Sequence, residues 1–389
     1  MQLLLSIVAI LLFISLILIH EWGHYIAARR AGVDVEEFGL GLPPRAFGRR
    51  LKSGLLLSIN WLPIGGFVKL KGEHDSSTEK GSFGSVSLWS KSKIMLAGVT
   101  MNLLTGIFLL TVVAWIGTPK LIDNQFSVAS DSKITHQEVR ADTVQEGSPA
   151  ASAGLQRRDI VVSLSSSGQV YIIKTSDQLM QATKSLAGQP AELTYIRNGE
   201  TIKRDIMLRS TSEVEASKKT DTPKGHLGIV PVNLEVARST WSAPIVAVGF
   251  TGQLIKLTAQ GLWTAVSGLG SLIAGAVTGN SVARQNGQAQ ATDQVGGPLA
   301  IVSILWGSGD LGINFVLWII AIISLTLAIM NILPIPALDG GRLAMILFSR
   351  KVLKKPLSKS SEEKITGIGM AFLLLLIVLI TIVDIRRFY

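Results

Sequence analysis

Apolar and polar positions divide this chain into long apolar runs separated by charged or mixed stretches. Residues 1–19 are almost unbroken Leu, Ile, Val and Phe. Further runs occupy 94–115, 313–333 and 365–383. Each is near the ~20 residues that a helix needs to cross a bilayer. The first run lacks a basic start and a small-residue cleavage site, and its helical pattern continues through 20–30. It therefore reads as a spanning helix, not a removed leader. Pro334 and Pro336 end the third run. Residues 241–277 are apolar but rich in Gly, Ser, Thr and Ala, and they carry Lys256. They read as amphipathic helices on the membrane surface or along a groove, with a fifth span as the alternative.

Between the runs the pattern changes. Residues 55–61 and 67–70 have strand character. Residues 123–209 mix strands, glycines and charges as a soluble domain does, and 213–224 is polar, contains Pro223 and reads as a linker. The expected order is a first transmembrane helix (1–30), a membrane-entering hairpin region (31–93), a second helix (94–116) and an outer domain (123–212). A linker (213–240), membrane-associated helices (241–310), a third helix (311–341), a loop (342–364) and a fourth helix (365–385) follow. The fold class is a polytopic α-helical membrane protein of about four spans, with a hairpin sheet and one α+β domain.

Composition agrees. The chain is 48% hydrophobic with a mean hydropathy of +0.42, too apolar for an ordinary soluble protein. With no cysteine, disulfides, thiolate ligands and thiol nucleophiles are excluded. The net charge of +10 comes with no nucleic-acid motif, so its partner is read as anionic lipid and not nucleic acid. Arg29, Arg30, Arg45, Arg49, Arg50, Lys52, Lys69 and Lys71 follow the first span; Arg342, Arg350, Lys351, Lys354 and Lys355 follow the third. Both loops are expected to be cytoplasmic, which leaves the intervening domain outside. Arg386 and Arg387 fall on the wrong side for this rule.

The candidate chemistry sits where the first run ends, in His20-Glu21-Trp22-Gly23-His24. Histidines four apart share a helix face and can reach one tetrahedral zinc, with Glu21 placed to take a proton from water on the metal. The alternative is polar residues at a half-solvated helix end. Ionisable groups near membrane depth are costly, however, and usually functional. A catalytic zinc needs a third protein ligand. His74, His136 and His226 have no partner motif and read as ordinary loop or domain residues. Asp339, in the proline-broken segment 331–342, is a candidate; a turn aspartate before Gly340-Gly341 is an equally good local reading.

These motifs resemble the site-two protease family (peptidase family M50), closest to bacterial RseP/RasP-type intramembrane proteases. The likeness rests on HExxH at 20–24 and N-x-L-P-x-P-x-L-D-G-G at 331–341. Residues 38–41 and 63–69 look like the family's membrane-entering hairpin. Gly296-Gly297-Pro298 looks like its G-P segment. Ala97-Gly98 and Asn102 look like its A-G-P-x-x-N motif, with Val99 in place of the proline and its kink. Residues 144–161, with 177–179 and 193–199, resemble a bacterial PDZ domain, although Arg158 stands where that motif has glycine. The resemblance implies His20, His24 and Asp339 as Zn2+ ligands and Glu21 as general base. It also implies Asn331 as a holder of substrate backbone or oxyanion, against a capping or packing role. It further implies a multi-pass protein of the bacterial cytoplasmic membrane, with the PDZ-like domain outside and the active site towards the cytoplasm. Its substrates would be single-span membrane proteins, such as anti-sigma factors or signal-peptide remnants, already shortened by a site-one protease. The PDZ-like domain could bind a trimmed tail, filter by size, or be a plain structural plug. A silent PDZ scaffold and a metal transporter are the competing functions.

Overall fold

The computed structural model describes residues 2–120, 122, 124–218, 222–282, 298–308 and 312–388. It divides into two compact units, residues 1–114 with 241–389, and residues 115–240. Gly296 and Gly297 of the expected G-P segment lie outside the described residues.

In the first unit, helix α1 (Gln2–Arg30) carries the first apolar run and the HExxH residues as one unbroken element. Helix α2 (Leu88–Ile116) is likewise continuous, and Val99 lies inside it without a break. Proline would have removed a helical hydrogen bond there; valine keeps its N–H. Helix α6 (Ala243–Thr278) is a single 36-residue helix where several amphipathic pieces were expected. Helix α7 (Pro298–Ser308) is short. Helix α8 (Ile313–Ile332) stops just before the prolines, α9 (Asp339–Lys351) begins after them, and α10 (Lys359–Phe388) closes the chain. Five helices among the described residues are long and apolar enough to cross a membrane, the fifth being the Ala243–Leu272 part of α6, where about four spans were expected. Helices α1, α7 and α8 pack through Ala9, Leu16, Leu305, Val316 and Ile320.

Strands β1 (Val35–Arg50) and β2 (Leu56–Leu70) each fold back on themselves. Residues 45–50 pair with 56–60, while residues 35–40 lie between 56–59 and 66–70. Residues 66–70 thus form one edge of the sheet. The other face of the hairpin exposes Phe47, Ile59 and Trp61.

Behind the hairpin, a buried ionic cluster ties the loop after β2 to three helices. Asp75, 2% exposed, accepts from Lys91 Nζ of α2 at 2.5 Å and from Arg350 Nε of α9 at 2.8 Å. Its backbone N–H donates to Glu362 of α10 at 3.1 Å. Arg342 of α9 donates to the Glu73 carboxylate at 2.8 Å and to the Glu73 carbonyl. Burial pushes the Asp75 carboxyl up, but hydrogen bonds from Arg350 and Lys91 outweigh it and hold the group below its usual range. A depressed carboxylate contributes stability above its unfolded pKa and loses it only as pH falls through the lower folded value. The cluster is therefore at full strength at neutral pH. Removing one partner strands the others, so Asp75→Ala is expected to cost about 3–5 kcal/mol in thermal unfolding of the solubilised chain at pH 7.

The second unit is α+β. Strands β3 (Thr118–Lys120), β4 (Lys133–Val144), β5 (Ile160–Ser166), β6 (Gln169–Ile172), β7 (Pro190–Arg197), β8 (Glu200–Met207) and β9 (Ile229–Arg238) form one sheet. Its order is β3-β9-β4-β5-β7-β8, with β6 beside β5. Val139, Val161, Leu164, Leu193 and Tyr195 fill its core against Ala150 of α3 (Pro149–Ser152) and Leu179 of α4 (Ser176–Ser185). A capping box starts α4: Thr175 accepts from the Gln178 amide and Gln178 reaches back. Arg158, standing where glycine was expected, adopts φ 76° and so takes up the left-handed turn a glycine would. Residues 213–240, expected as a linker, instead supply most of α5 (Thr211–Ser217) and all of β9, which pairs with β4 from Val144↔Ile229 to Lys133↔Arg238. The alternation of Val230, Val232, Leu234 and Val236 is the local signal for this strand.

Candidate metal centre

Helix α1 places His20 and His24 one turn apart, 9% and 7% exposed. Asp339 arrives from a chain break. Pro334 and Pro336 cannot continue α8, and the chain turns through Ile335 N–H to Leu333 O and Leu338 N–H to Ile335 O. Ala337 sits at φ 89°, strained for a residue with a Cβ. At the start of α9 the backbone folds closely onto this turn. A Cβ on Gly340 would collide with the Ile332 carbonyl, and one on Gly341 with the Ile335 carbonyl. Both positions require glycine, and the paired glycines let Asp339 approach the imidazoles.

Three donors then converge. Asp339 Oδ2 lies 3.0 Å from His20 Nε2 and 3.2 Å from His24 Nε2, and the two Nε2 atoms are 3.2 Å apart. Bonds of about 2.0–2.1 Å to a tetrahedral ion put its corner atoms about 3.3 Å apart, so the spacing fits one metal. The outer nitrogens agree. His24 Nδ1 is 2.8 Å from the Ile94 carbonyl, which can only accept, so Nδ1 carries the proton and the Nε2 lone pair is free. His20 Nδ1 is 3.2 Å from Asn102 Nδ2, and in that orientation Asn102 Oδ1 is buried without a partner. Turning the amide over lets Oδ1 accept the His20 Nδ1 proton and frees the second Nε2 as well. Among the described residues only this group has the donor spacing of a metal site.

Helix α2 supplies the floor. A Cβ on Gly98 would press on His24 Nε2 and stand 2.6 Å from His20 Nε2. Gly98 therefore lets α2 run directly against the donor atoms. Asn102 and Gly98 belong to a motif singled out in the sequence, but nothing local to it shows that they support the histidines. An asparagine inside an apolar run was the one available signal. Because Asn102 sets a ring orientation, Asn102→Ala is expected to weaken metal affinity by about 10–100-fold, read by competition with a chromophoric chelator.

Glu21 faces the opposite wall. Its carboxylate faces the Val68 backbone amide, and a Cβ on Gly66 would come within 3.0 Å of its Cγ. The hairpin edge therefore lies directly over the carboxylate. Glu21, the three donors, Phe67, Val68 and Asn331 line a cavity of about 510 Å³. Asn331 makes no side-chain hydrogen bond among the described residues, which leaves its amide available to a ligand. The remaining histidines are elsewhere. His74 approaches Glu363 at 3.6 Å, His136 bonds Glu138 at 2.8 Å, and His226 Nδ1 bonds the Arg209 carbonyl at 2.9 Å.

Comparison with known proteins adds names to this geometry. The model of peptidase family M50 matches residues 8–376. A Clostridium perfringens protein named "Putative zinc metalloprotease" is 28% identical over 97% of this chain and 98% of its own. "Probable protease eep" of Enterococcus faecalis is 27% identical over 98% of each chain. A Campylobacter jejuni "Putative zinc metalloprotease" is 28% identical over 97% of this chain and 92% of its own.

Proposed function

The chain belongs to peptidase family M50, and on that premise we propose that it is a zinc endopeptidase that cuts single-span membrane proteins within the bilayer. The observation that carries this reading is the convergence of His20, His24 and Asp339 beside Glu21, at the ends of two apolar helices. A scaffold has no use for a carboxylate poised beside such a trio, and a transporter needs polar residues along its spans, whereas here they gather at one place. Zn2+ held by these donors would supply a Lewis acid and acidify a water towards neutral pH. Glu21 is placed to take the proton of the attacking water and to return it to the leaving amide nitrogen, as the water oxygen bonds to the carbonyl carbon and the C–N bond breaks. Asn331 donates its free amide N–H to the substrate carbonyl or the charge developing there.

A transmembrane helix must unwind before its carbonyls can react. Residues 66–70 pair with β1 on one side only and face the cavity on the other. They offer an edge on which an unwound substrate can pair as a strand over the metal. Val68→Pro, which removes the N–H that faces Glu21 and lies on that edge, is expected to slow cleavage while metal content stays at the wild-type level.

The basic loops after α1 and α8 support a site at the cytoplasmic face of a bacterial membrane, with residues 115–240 outside. Helices α6 and α8 then start on the same face. Either α6 does not cross, or the chain crosses back between 279 and 312. In the outer unit, residues 229–234 of β9 keep one edge unpaired among the described residues, where β3 covers 235–237. That edge borders a cavity of about 330 Å³ that also reaches Leu179, Met180 and Lys184 of α4. It suits an extended peptide end, such as a substrate shortened by an upstream site-one protease.

The test is to purify the chain, measure bound metal, and incubate it with tagged single-span proteins, including anti-sigma-factor-like and signal-peptide segments. Cleavage lost on chelation and restored by Zn2+ supports the reading. Stoichiometric zinc with no cleavage of any member would overturn it.

A further inference from the structure

The contact between α1 and α2 has a second side. Gly23 lies where a Cβ would be 2.6 Å from the Ala97 carbonyl, and this close approach forms the contact line. On one side of the line lie the metal donors. On the other is a separate cavity of about 490 Å³. Its floor is built of small residues, Gly23, Ala27 and Ala97, and its mouth of Arg30, Lys93 and Ser90. Residues at three- and four-residue spacing share a helix face, so both helices present a continuous wall here.

Polarity changes along this groove in one direction. Arg30 is the last residue of α1, and Lys93 lies near the start of α2, one turn from the exposed Trp89. Lys93 Nζ sits 5.2 Å from the Trp89 ring centre. A tryptophan and two cations at the end of an apolar helix mark the membrane interface. From there the groove runs towards Met101, deeper in the apolar run. Most neighbouring cations are paired with acids: Arg29 and Lys71 with Asp34, Lys69 with Glu36, Lys91 and Arg350 with Asp75. Arg30 and Lys93 have no acidic partner among the described residues.

We propose that this groove holds one anionic phospholipid of the cytoplasmic leaflet. Its phosphodiester sits between Arg30 and Lys93, and one acyl chain lies along Gly23, Ala27 and Ala97. Charge complementarity selects the headgroup, because basic pockets between helices on the cytoplasmic side attract anionic lipid. The length of the apolar floor selects a lipid over a free anion, which would leave that floor uncovered. The inference rests on the membrane orientation proposed above. Through it the lipid lies directly behind the helix contact that sets the His24–Ile94 hydrogen bond.

The test is native mass spectrometry of the full chain released from detergent, with added dioleoyl phosphatidylglycerol, dioleoyl phosphatidylcholine or inorganic phosphate. The wild type is expected to retain one phosphatidylglycerol in preference to phosphatidylcholine. Arg30→Gln/Lys93→Gln is expected to weaken that retention about thirtyfold. Ala27→Leu, which fills the floor without changing charge, is expected to weaken it too, while Lys351→Gln is not. Bound zinc, measured on each variant, reports correct folding. Equal retention of both lipids, no change in the double variant, or displacement by inorganic phosphate would overturn the proposal. A wild type that cleaves substrate but shows no lipid preference defeats the lipid site alone; one that prefers the lipid but never cleaves defeats the protease reading alone.

Discussion

Glu21→Gln is expected to lower the rate of substrate cleavage by about 10²–10⁴-fold, the range for loss of a general acid–base group, while bound metal stays stoichiometric. Glutamine has the same size and fits the same space beside Gly66. Its amide cannot take a proton from water or return one to a leaving nitrogen. The donors are untouched, because the three atoms that converge belong to His20, His24 and Asp339. Metal analysis and cleavage of a tagged single-span protein, run on the same preparation, separate the two effects. Cleavage at the wild-type rate would remove Glu21 from the chemistry. Loss of metal would make it a structural partner of the site.

Gly98→Ala is expected to cost about 100-fold or more in metal affinity, at or beyond the upper end of what supporting residues contribute, and to abolish cleavage with it. The added methyl would point at both Nε2 atoms, the same atoms that bind metal. Neither ring can retreat easily, since His24 is held by the Ile94 carbonyl and His20 by Asn102. Gly106→Ala on the same helix is the control. There the new Cβ meets the buried Leu325 side chain, 2.6 Å away, and none of the metal donors. That variant is expected to lose some stability but to keep its metal. If both variants bound zinc as the wild type does, close passage of α2 under the donors would have no functional weight.

Much of the site could be read along the chain because its parts are local. His20, Glu21 and His24 share one turn of a helix, and spacing alone puts the two imidazoles on one face. Pro334, Pro336 and the two glycines announce the break that delivers Asp339. Asp339 remained ambiguous on local sequence, because a turn aspartate before glycines looks the same. The structure brings its carboxylate to the imidazoles through a contact spanning 319 residues of chain. Arg158 shows the opposite case. Its departure from the glycine pattern suggested a changed turn, yet the backbone keeps the left-handed conformation and the arginine bears the strain.

By itself the sequence determined which stretches are apolar enough for a membrane, which helix carries the paired histidines and where the chain must break before Asp339. These follow from periodicity, hydropathy and the missing N–H of proline, all properties of neighbouring residues. Only the tertiary structure decided that Asp339 meets the imidazoles and that Asn102 and Gly98 of α2 hold and clear their rings. It also decided that Asp75 gathers Lys91 and Arg350, and that 229–238 pairs with β4. Each of those is a contact between segments far apart in the chain, set by how helices and strands pack. Packing of that kind leaves no periodic trace in any one segment.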